Sequence, residues 1–237
     1  MSKRKVALIT GGSKGIGLGI AEKLVHQGYC VAITGRNEES LQNAVDALTA
    51  KGGSEVLGIV SDVRKLSDEQ HAVNKVIESW GRLDVAIANA GVGHFAPIQE
   101  MTSKQWNEVI DINLTGVFNT TKACLNALIE SKGYLITIAS LAGTNFFKMG
   151  AAYNASKFGL VGFTQAVMLD VRNQGVKVTT IMPGSVATYF NNHTPNEGDA
   201  WKIQPEDIGQ MVVDLLNMNP RTLPSKVEVR PSMPPTK

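Results

Sequence analysis

The chain has 237 residues, 43% of them apolar and 19% charged, with a formal net charge of +2. That length and apolar fraction allow a sizeable core and exclude a disordered chain, and no apolar run reaches the roughly 18 residues that a membrane-spanning helix needs. Near-neutral charge of interspersed sign excludes a nucleic-acid binder of the counterion-release kind, and two cysteines, Cys30 and Cys124, are too few for a disulfide framework. Reduced thiols and an N-terminal apolar run too short for a signal peptide point to a cytoplasmic protein. No metal site, membrane or nucleic-acid partner is expected.

In chain order, Val6–Thr10 reads as a strand and runs through a glycine-rich turn into the helix Ile16–Gln27. Cys30–Thr34 is a strand. Asn37, ahead of Glu38 and Glu39, then opens the helix Glu38–Lys51 with a capping side chain and acids in the first turn. Strands Val56–Val60 and Val85–Ala88 flank the helix Asp68–Trp80. The helix Lys104–Glu130, strand Tyr134–Ala139, helix Tyr153–Arg172 and strand Val176–Met182 follow. Ser185–Ile203 has no clear period and is rich in Asn, Thr, Gly and Pro. A loop this long is either disordered or a lid, and its place between a strand and the last helix favours a substrate lid. The helix Pro205–Asn217 and the strand Val227–Val229 precede a Pro-rich tail over 231–237. Most strands are continuous apolar runs, as parallel strands covered on both faces require, and no hairpin signal interrupts the alternation. The expected fold is α/β: a single domain over 1–237, with a doubly wound parallel sheet of about seven strands and helices on both faces.

The turn Thr10-Gly-Gly-Ser-Lys-Gly-Ile-Gly17 carries Gly11, Gly15 and Gly17 where a tight turn, a close backbone approach and helix–strand packing would need them. The helix start behind it offers unpaired N–H groups to a diphosphate. At the end of the second strand, an enzyme that recognises a free ribose hydroxyl would carry Asp or Glu. This chain has Gly35-Arg36-Asn37. Arg36 and Lys14 together favour a 2′-phosphate, hence NADP over NAD; the alternative for each is a solvated loop cation. Tyr153 and Lys157 lie four residues apart on one helix face, where an ammonium would lower the phenol pKa toward the working range.

These motifs, with Asp62-Val63, Ala88-Asn89-Ala90-Gly91, Asn113, Ser140 and Pro183-Gly184, stand in the order and spacing of the short-chain dehydrogenase/reductase family, which the chain resembles from residue 5 to about 230. Tyr153 follows Ser140 by thirteen positions, as in that family. The resemblance implies that Tyr153 protonates a carbonyl oxygen as hydride arrives and that Ser140 hydrogen-bonds the same oxygen. Lys157 would lower the Tyr153 pKa and hold the nicotinamide ribose. Asn113 would hold, through its backbone, a water of a proton relay. It also implies cofactor contacts from Ser13 and Ile16 in the glycine turn, from Asp62 and Val63 at the adenine, and from Asn89 and Gly91 at the adenosine ribose. Pro183, Gly184, Val186 and Thr188 would meet the nicotinamide. Asn113 as a plain polar helix residue, Asp62 as a loop cap and Pro183-Gly184 as a strand terminator remain alternatives. Ala88 departs from a common Asn, at an expected cost in stability more than in chemistry.

His94, Phe95, Thr144, Asn145, Phe146, Phe147, Tyr189, Phe190 and Trp201 are candidate pocket walls; their aromatic character suits an apolar ketone, and core or interface packing is the alternative. His94 is equally an exposed loop residue. Ser185–Trp201 contains no Arg, which weighs against a dedicated hydroxy acid and for a neutral ketone. The expected activity is reversible reduction of a small-molecule carbonyl with NADPH. Alternatives are 3-oxoacyl thioester or 3-hydroxy-acid chemistry, or an NADP(H)-sensing regulator. The resemblance further implies a homo-oligomer, tetramer or dimer, joined through the helices Lys104–Glu130 and Tyr153–Arg172.

Overall fold

A computed structural model describes residues 4–52 and 55–234. Seven strands form one parallel sheet in the order β3-β2-β1-β4-β5-β6-β7. They are β1 (Val6–Thr10), β2 (Cys30–Gly35), β3 (Val56–Val60), β4 (Val85–Ala88), β5 (Tyr134–Ile138), β6 (Lys177–Pro183) and β7 (Lys226–Val229). The helices are α1 (Gly15–His26), α2 (Glu38–Gly52), α3 (Leu66–Trp80), α4 (Ser103–Ile110), α5 (Gly116–Ser131), α6 (Ala151–Val171) and α7 (Pro205–Asn217). The expected α/β fold class, a doubly wound sheet with helices on both faces, is what the chain adopts.

Alternation along the strands divides the core. Ala7 and Ile9 of β1 join Ile33, Ile87 and Ile136 under α1, α2 and α7, through Ile20, Leu24, Leu48 and Val212. Val6 and Leu8 turn the other way, with Ala32, Ala86 and Leu135, onto Ala72, Val76 and Leu128 of α3 and α5. All of these side chains are buried, so the inner strands β1, β2 and β4 have two apolar faces and read as nearly unbroken apolar runs. Cys30 and Cys124 are buried within the second of these layers. Asn37 caps α2 as expected, its Oδ1 accepting from Ser40 N at 2.7 Å.

One element differs from expectation. The stretch 104–130 is one helical run, but Asp111–Thr115 forms a π-turn inside it, between α4 and α5. The extra residue swells the helix without breaking its apolar stripe, so periodicity does not reveal it. Ser185–Ile203 is a loop whose two ends are joined: Val186 bridges Ile203, and Ala187 N donates to Ile203 O at 2.9 Å. In the tail, Pro231 packs on Gly184, whose Cβ would lie 3.2 Å from its ring; residues 235–237 lie outside the described residues. No helix among the described residues is long and apolar enough to cross a membrane. The strand order reverses between β1 and β4, which places a crevice at the carboxyl ends of those strands.

Candidate active site

The turn after β1 is shaped by absent side chains. Gly11 and Gly15 hold φ of 64° and 57°, and a Cβ on Gly17 would meet Gly11 O at 2.3 Å. Lys14 precedes α1 in extended conformation and makes no side-chain cap, so the first N–H groups of α1 keep no side-chain acceptor. Bare backbone, an uncapped helix start and no room for a Cβ fit a dinucleotide diphosphate. Ser13 lies beside Gly35, its Oγ 3.6 Å from where a Cβ would stand, and Lys14 and Arg36 are both exposed at this edge.

Asn89, expected at a ribose, is turned into the loop instead. Its Nδ2 donates to Thr10 O at 2.9 Å and Gly11 O at 3.1 Å, and Thr10 Oγ1 accepts from the backbone N–H groups of Asn89 and Ala90. It buttresses the glycine turn where the chain leaves β1. Gly91 comes next, and a Cβ there would lie 3.8 Å from Lys157 Nζ. Asp62 carries Arg64 on both carboxylate oxygens, with Nε at 2.9 and 3.0 Å and Nη2 also bonded, and that guanidinium holds its carboxyl below the usual carboxylate range. Val63 is buried against Gly116, and its carbonyl accepts from Asn119 Nδ2 at 2.8 Å.

Ser140 stands two residues past β5 and opens the short turn Leu141–Gly143, its Oγ accepting from Ala142 N at 3.1 Å. Tyr153 and Lys157 stand one turn apart on α6. Lys157 is 4% exposed; its Nζ donates to Ile138 O at 3.0 Å and lies 5.7 Å from the Tyr153 ring centre. Burial lowers the Lys157 pKa to about 8. Burial likewise pushes the Tyr153 phenol up to about 12, while a hydrogen bond from Ser140 pulls it down. Lys157 is not among the causes that lower the phenol: burial is the largest influence on both groups and disfavours the charged form of each. Asn113 sits at the centre of the π-turn, fully buried. Its Oδ1 accepts from Val92 N at 2.8 Å, and its Nδ2 donates to Val92 O at 2.9 Å and Ser156 Oγ at 3.1 Å. Ser156 Oγ in turn donates to Tyr153 O, so the Asn113 side chain ties the loop after β4 to the helix that carries Tyr153.

A cleft of about 320 Å³ opens here, with Ile16 of the glycine turn, Ser140, Tyr153, Pro183, Gly184, Val186 and Thr188 on its walls. Three of the expected pocket residues surround Tyr153: Phe95, Phe147 and Phe190, with ring centres at 5.5, 6.4 and 5.6 Å. Gly93 leaves the space that Phe190 fills, since a Cβ there would be 2.6 Å from its ring. Four of the other six point elsewhere. Phe146 is 83% exposed and stacks on Phe158, and Tyr189 lies out by Lys14. Asn145 Nδ2 donates to Leu141 O in its own loop. His94 Nε2 meets Glu108 Oε2 at 2.9 Å, away from the cleft walls.

His193 and Lys202 also line the cleft, and sequence reasoning passed over both. Their common partner Asp199 stands three positions after Asn196, and the two form a capping box that was visible as a spacing. Arg64 was likewise missed, although it follows Asp62-Val63 directly.

A family model described as short chain dehydrogenase matches residues 5–198. An uncharacterized oxidoreductase of Staphylococcus aureus is 33% identical over 228 residues, covering 96% of this chain and 97% of that protein. The X-ray structure of the alcohol dehydrogenase from the archaeon Thermococcus sibiricus, complexed with 5-hydroxy-NADP, superposes with a TM-score of 0.92 at 30% identity over 99% of this chain and 100% of that one. A variant of actinorhodin polyketide ketoreductase with NADPH gives a TM-score of 0.87 at 31% identity, covering 96% of each chain. With a matching family model over most of its length and relatives above 30% identity end to end, the chain belongs to the short-chain dehydrogenase/reductase family of oxidoreductase enzymes.

Proposed function

We propose that the protein uses NADPH to reduce the carbonyl of a ketone or aldehyde to an alcohol, reversibly with NADP. The observation that carries this reading is the meeting of Ser140 and Tyr153 on one cleft with Ile16 of the glycine turn, with Lys157 directly behind the phenol. Gly11, Ser13, Gly15, Ile16 and Gly17 would hold the diphosphate at the start of α1. Lys14 and Arg36 would take the 2′-phosphate, there being no acid at Gly35 to reject it. NADP(H) accompanies the related chains above, which supports the same choice. When bound, the dinucleotide supplies hydride.

The chain itself supplies the proton. Tyr153, protonated up to about pH 12, gives the hydrogen of its Oη to the carbonyl oxygen while Ser140 Oγ donates a hydrogen bond to that oxygen. Lys157, charged below about pH 8, stabilises the phenolate left behind. Phe95, Phe147 and Phe190 shape the approach for an apolar ketone. We also assign a homo-oligomer interface to α5 and α6, supported by Phe118 and Leu169, which stand 47% and 54% exposed on them.

NADPH consumption over a panel of ketones, 3-oxo esters and aldehydes tests the reaction. Tyr153→Phe should lower kcat by roughly 10²- to 10⁴-fold with NADPH affinity unchanged. No turnover by the wild type, or turnover undiminished in the variant, would sink the mechanism. Arg36→Asp should reduce the preference for NADPH over NADH by roughly tenfold or more. An unchanged preference removes Arg36 from phosphate recognition.

A further inference from the structure

We propose that Lys202 and His193 form an oxyanion-binding flank of the catalytic cleft, set in place by Asp199, whose ligand is a phosphate or carboxylate oxygen. Lys202 Nζ lies 2.5 Å from Asp199 Oδ1, and His193 Nε2 lies 2.5 Å from Asp199 Oδ2. Asp199 also accepts from Asn196 N at 3.2 Å, and its backbone carbonyl accepts from Gln204 Nε2 at 3.2 Å. The carboxylate is only 6% exposed, and its partners, Lys202 first, hold its carboxyl down at about 2, so it is a permanent charge beneath the loop.

The arrangement is one-sided. Lys202 and His193 reach the cleft wall, whereas Asp199 does not, and among the described residues no acid lines the cleft. A ligand in the cleft therefore meets the Lys202 ammonium, with its counter-ion on the far side; His193, whose Nε2 is held by Asp199, has an N–H left for the ligand only as imidazolium. Lys202 carries three N–H groups and gives one to Asp199, which leaves two for a ligand. Its side chain is 21% exposed and lies over the Trp201 ring at 5.8 Å, so the ammonium is partly stripped of water and its hydrogen bonds gain strength. A device that only fastened the loop would not need to face the reacting centre. The absence of Arg from Ser185–Trp201 argued for a neutral ketone. Lys202 stands one position beyond that window, and the loop's closure at Val186–Ile203 brings it back over the site.

The oxyanion has two sources. Ile16, on the same cleft, is a cofactor residue in the proposed function, and Thr188 beside it is a cofactor contact that the family resemblance implies, which would make the ligand a dinucleotide phosphate. Ser140 and Tyr153 lie there too, which would make it a carboxylate on the carbonyl compound. Only this second source rests on the carbonyl-reductase reading. The full-length chain as wild type, Lys202→Gln, Lys202→Arg and His193→Gln is titrated calorimetrically with NADPH. The same proteins loaded with NADP are titrated with levulinate and with its neutral methyl ester.

Loss of about tenfold or more in NADPH affinity for Lys202→Gln assigns the flank to the dinucleotide. A similar loss for levulinate alone, with the ester unaffected, assigns it to the substrate. In either case Lys202→Arg should recover most of the loss, and His193→Gln should show a smaller loss in the same direction. Affinities all within twofold of wild type would overturn the proposal and leave Asp199 as a loop fastening, as would equal losses for levulinate and its ester. Because every arm reads binding, a wild type that reduces no carbonyl ends the proposed function without deciding this one.

Discussion

The cleft has two ends made in different ways. At the glycine turn, recognition is backbone: Gly11 and Gly15 take left-handed conformations, Gly17 leaves no room for a side chain, and α1 presents its uncapped first turn. At the loop after β6, recognition is side chain: Phe190 on Tyr153, and Lys202 and His193 on Asp199. The first end leaves little room for added side chains. The second is free to change, because a loop joined at Val186 and Ile203 can exchange its side chains without disturbing the sheet.

That contrast breaks first, and most severely, at Gly17. In Gly17→Ala the new methyl would press on Gly11 O, with Asn89 Nδ2 only 2.6 Å away, so the turn must open. Destabilisation of about 1–3 kcal/mol is expected. NADPH affinity should fall by roughly a hundredfold, the worth of two charge-assisted hydrogen bonds, for every substrate alike. Calorimetric titration and thermal melts check both. Unchanged NADPH affinity would mean that the turn is a packing device only. At the other end, Phe190→Ala removes edge contacts to Tyr153 and Phe95. KM for bulky apolar ketones should rise about five- to tenfold, as loss of one or two aromatic pairs predicts, with NADPH affinity within twofold. Equal changes in both would erase the division between the ends.

The same division explains what could be read from the sequence. The strands were legible because parallel strands buried on both faces carry unbroken apolar runs. The glycine turn was legible because glycine is required where a Cβ cannot fit. Tyr153 and Lys157 share a helix face, so spacing alone pairs them. The π-turn at Asp111–Thr115 left no trace, since one added residue does not disturb an amphipathic stripe; Asn113 was reached only through resemblance. Beyond the Asn196–Asp199 capping spacing, the loop cluster was hidden for a related reason. His193, Asp199 and Lys202 follow no helical or strand period, and only the chain's own closure brings them together. Of the aromatic candidates, Phe95, Phe147 and Phe190 face Tyr153 and Phe146 does not, a difference set by loop geometry rather than residue type.

Lys157 stands between the two ends and carries the smallest of the expected effects. Its folded pKa, about 8, lies below the ordinary 10.5 because it is buried. Between those values the unfolded chain binds more protons than the folded one, so this residue makes stability rise as pH climbs from about 8 to 10.5. Tyr153 acts in the opposite sense. Its folded value, about 12, exceeds 10, and its contribution is lost as pH rises from 10 toward 12. Melting temperature should therefore pass through a shallow rise above pH 8 and then fall. Lys157→Met, which keeps the bulk and drops the buried charge, should abolish the rise and melt higher at pH 7 by a few degrees, about 2–4 °C per kcal/mol for a chain of this size. Carbonyl reduction by the wild type should decline over the same interval above pH 8 in which stability rises, because the ammonium that stabilises the Tyr153 phenolate is being lost. Activity and stability moving together through that interval would show that Lys157 serves packing rather than proton transfer.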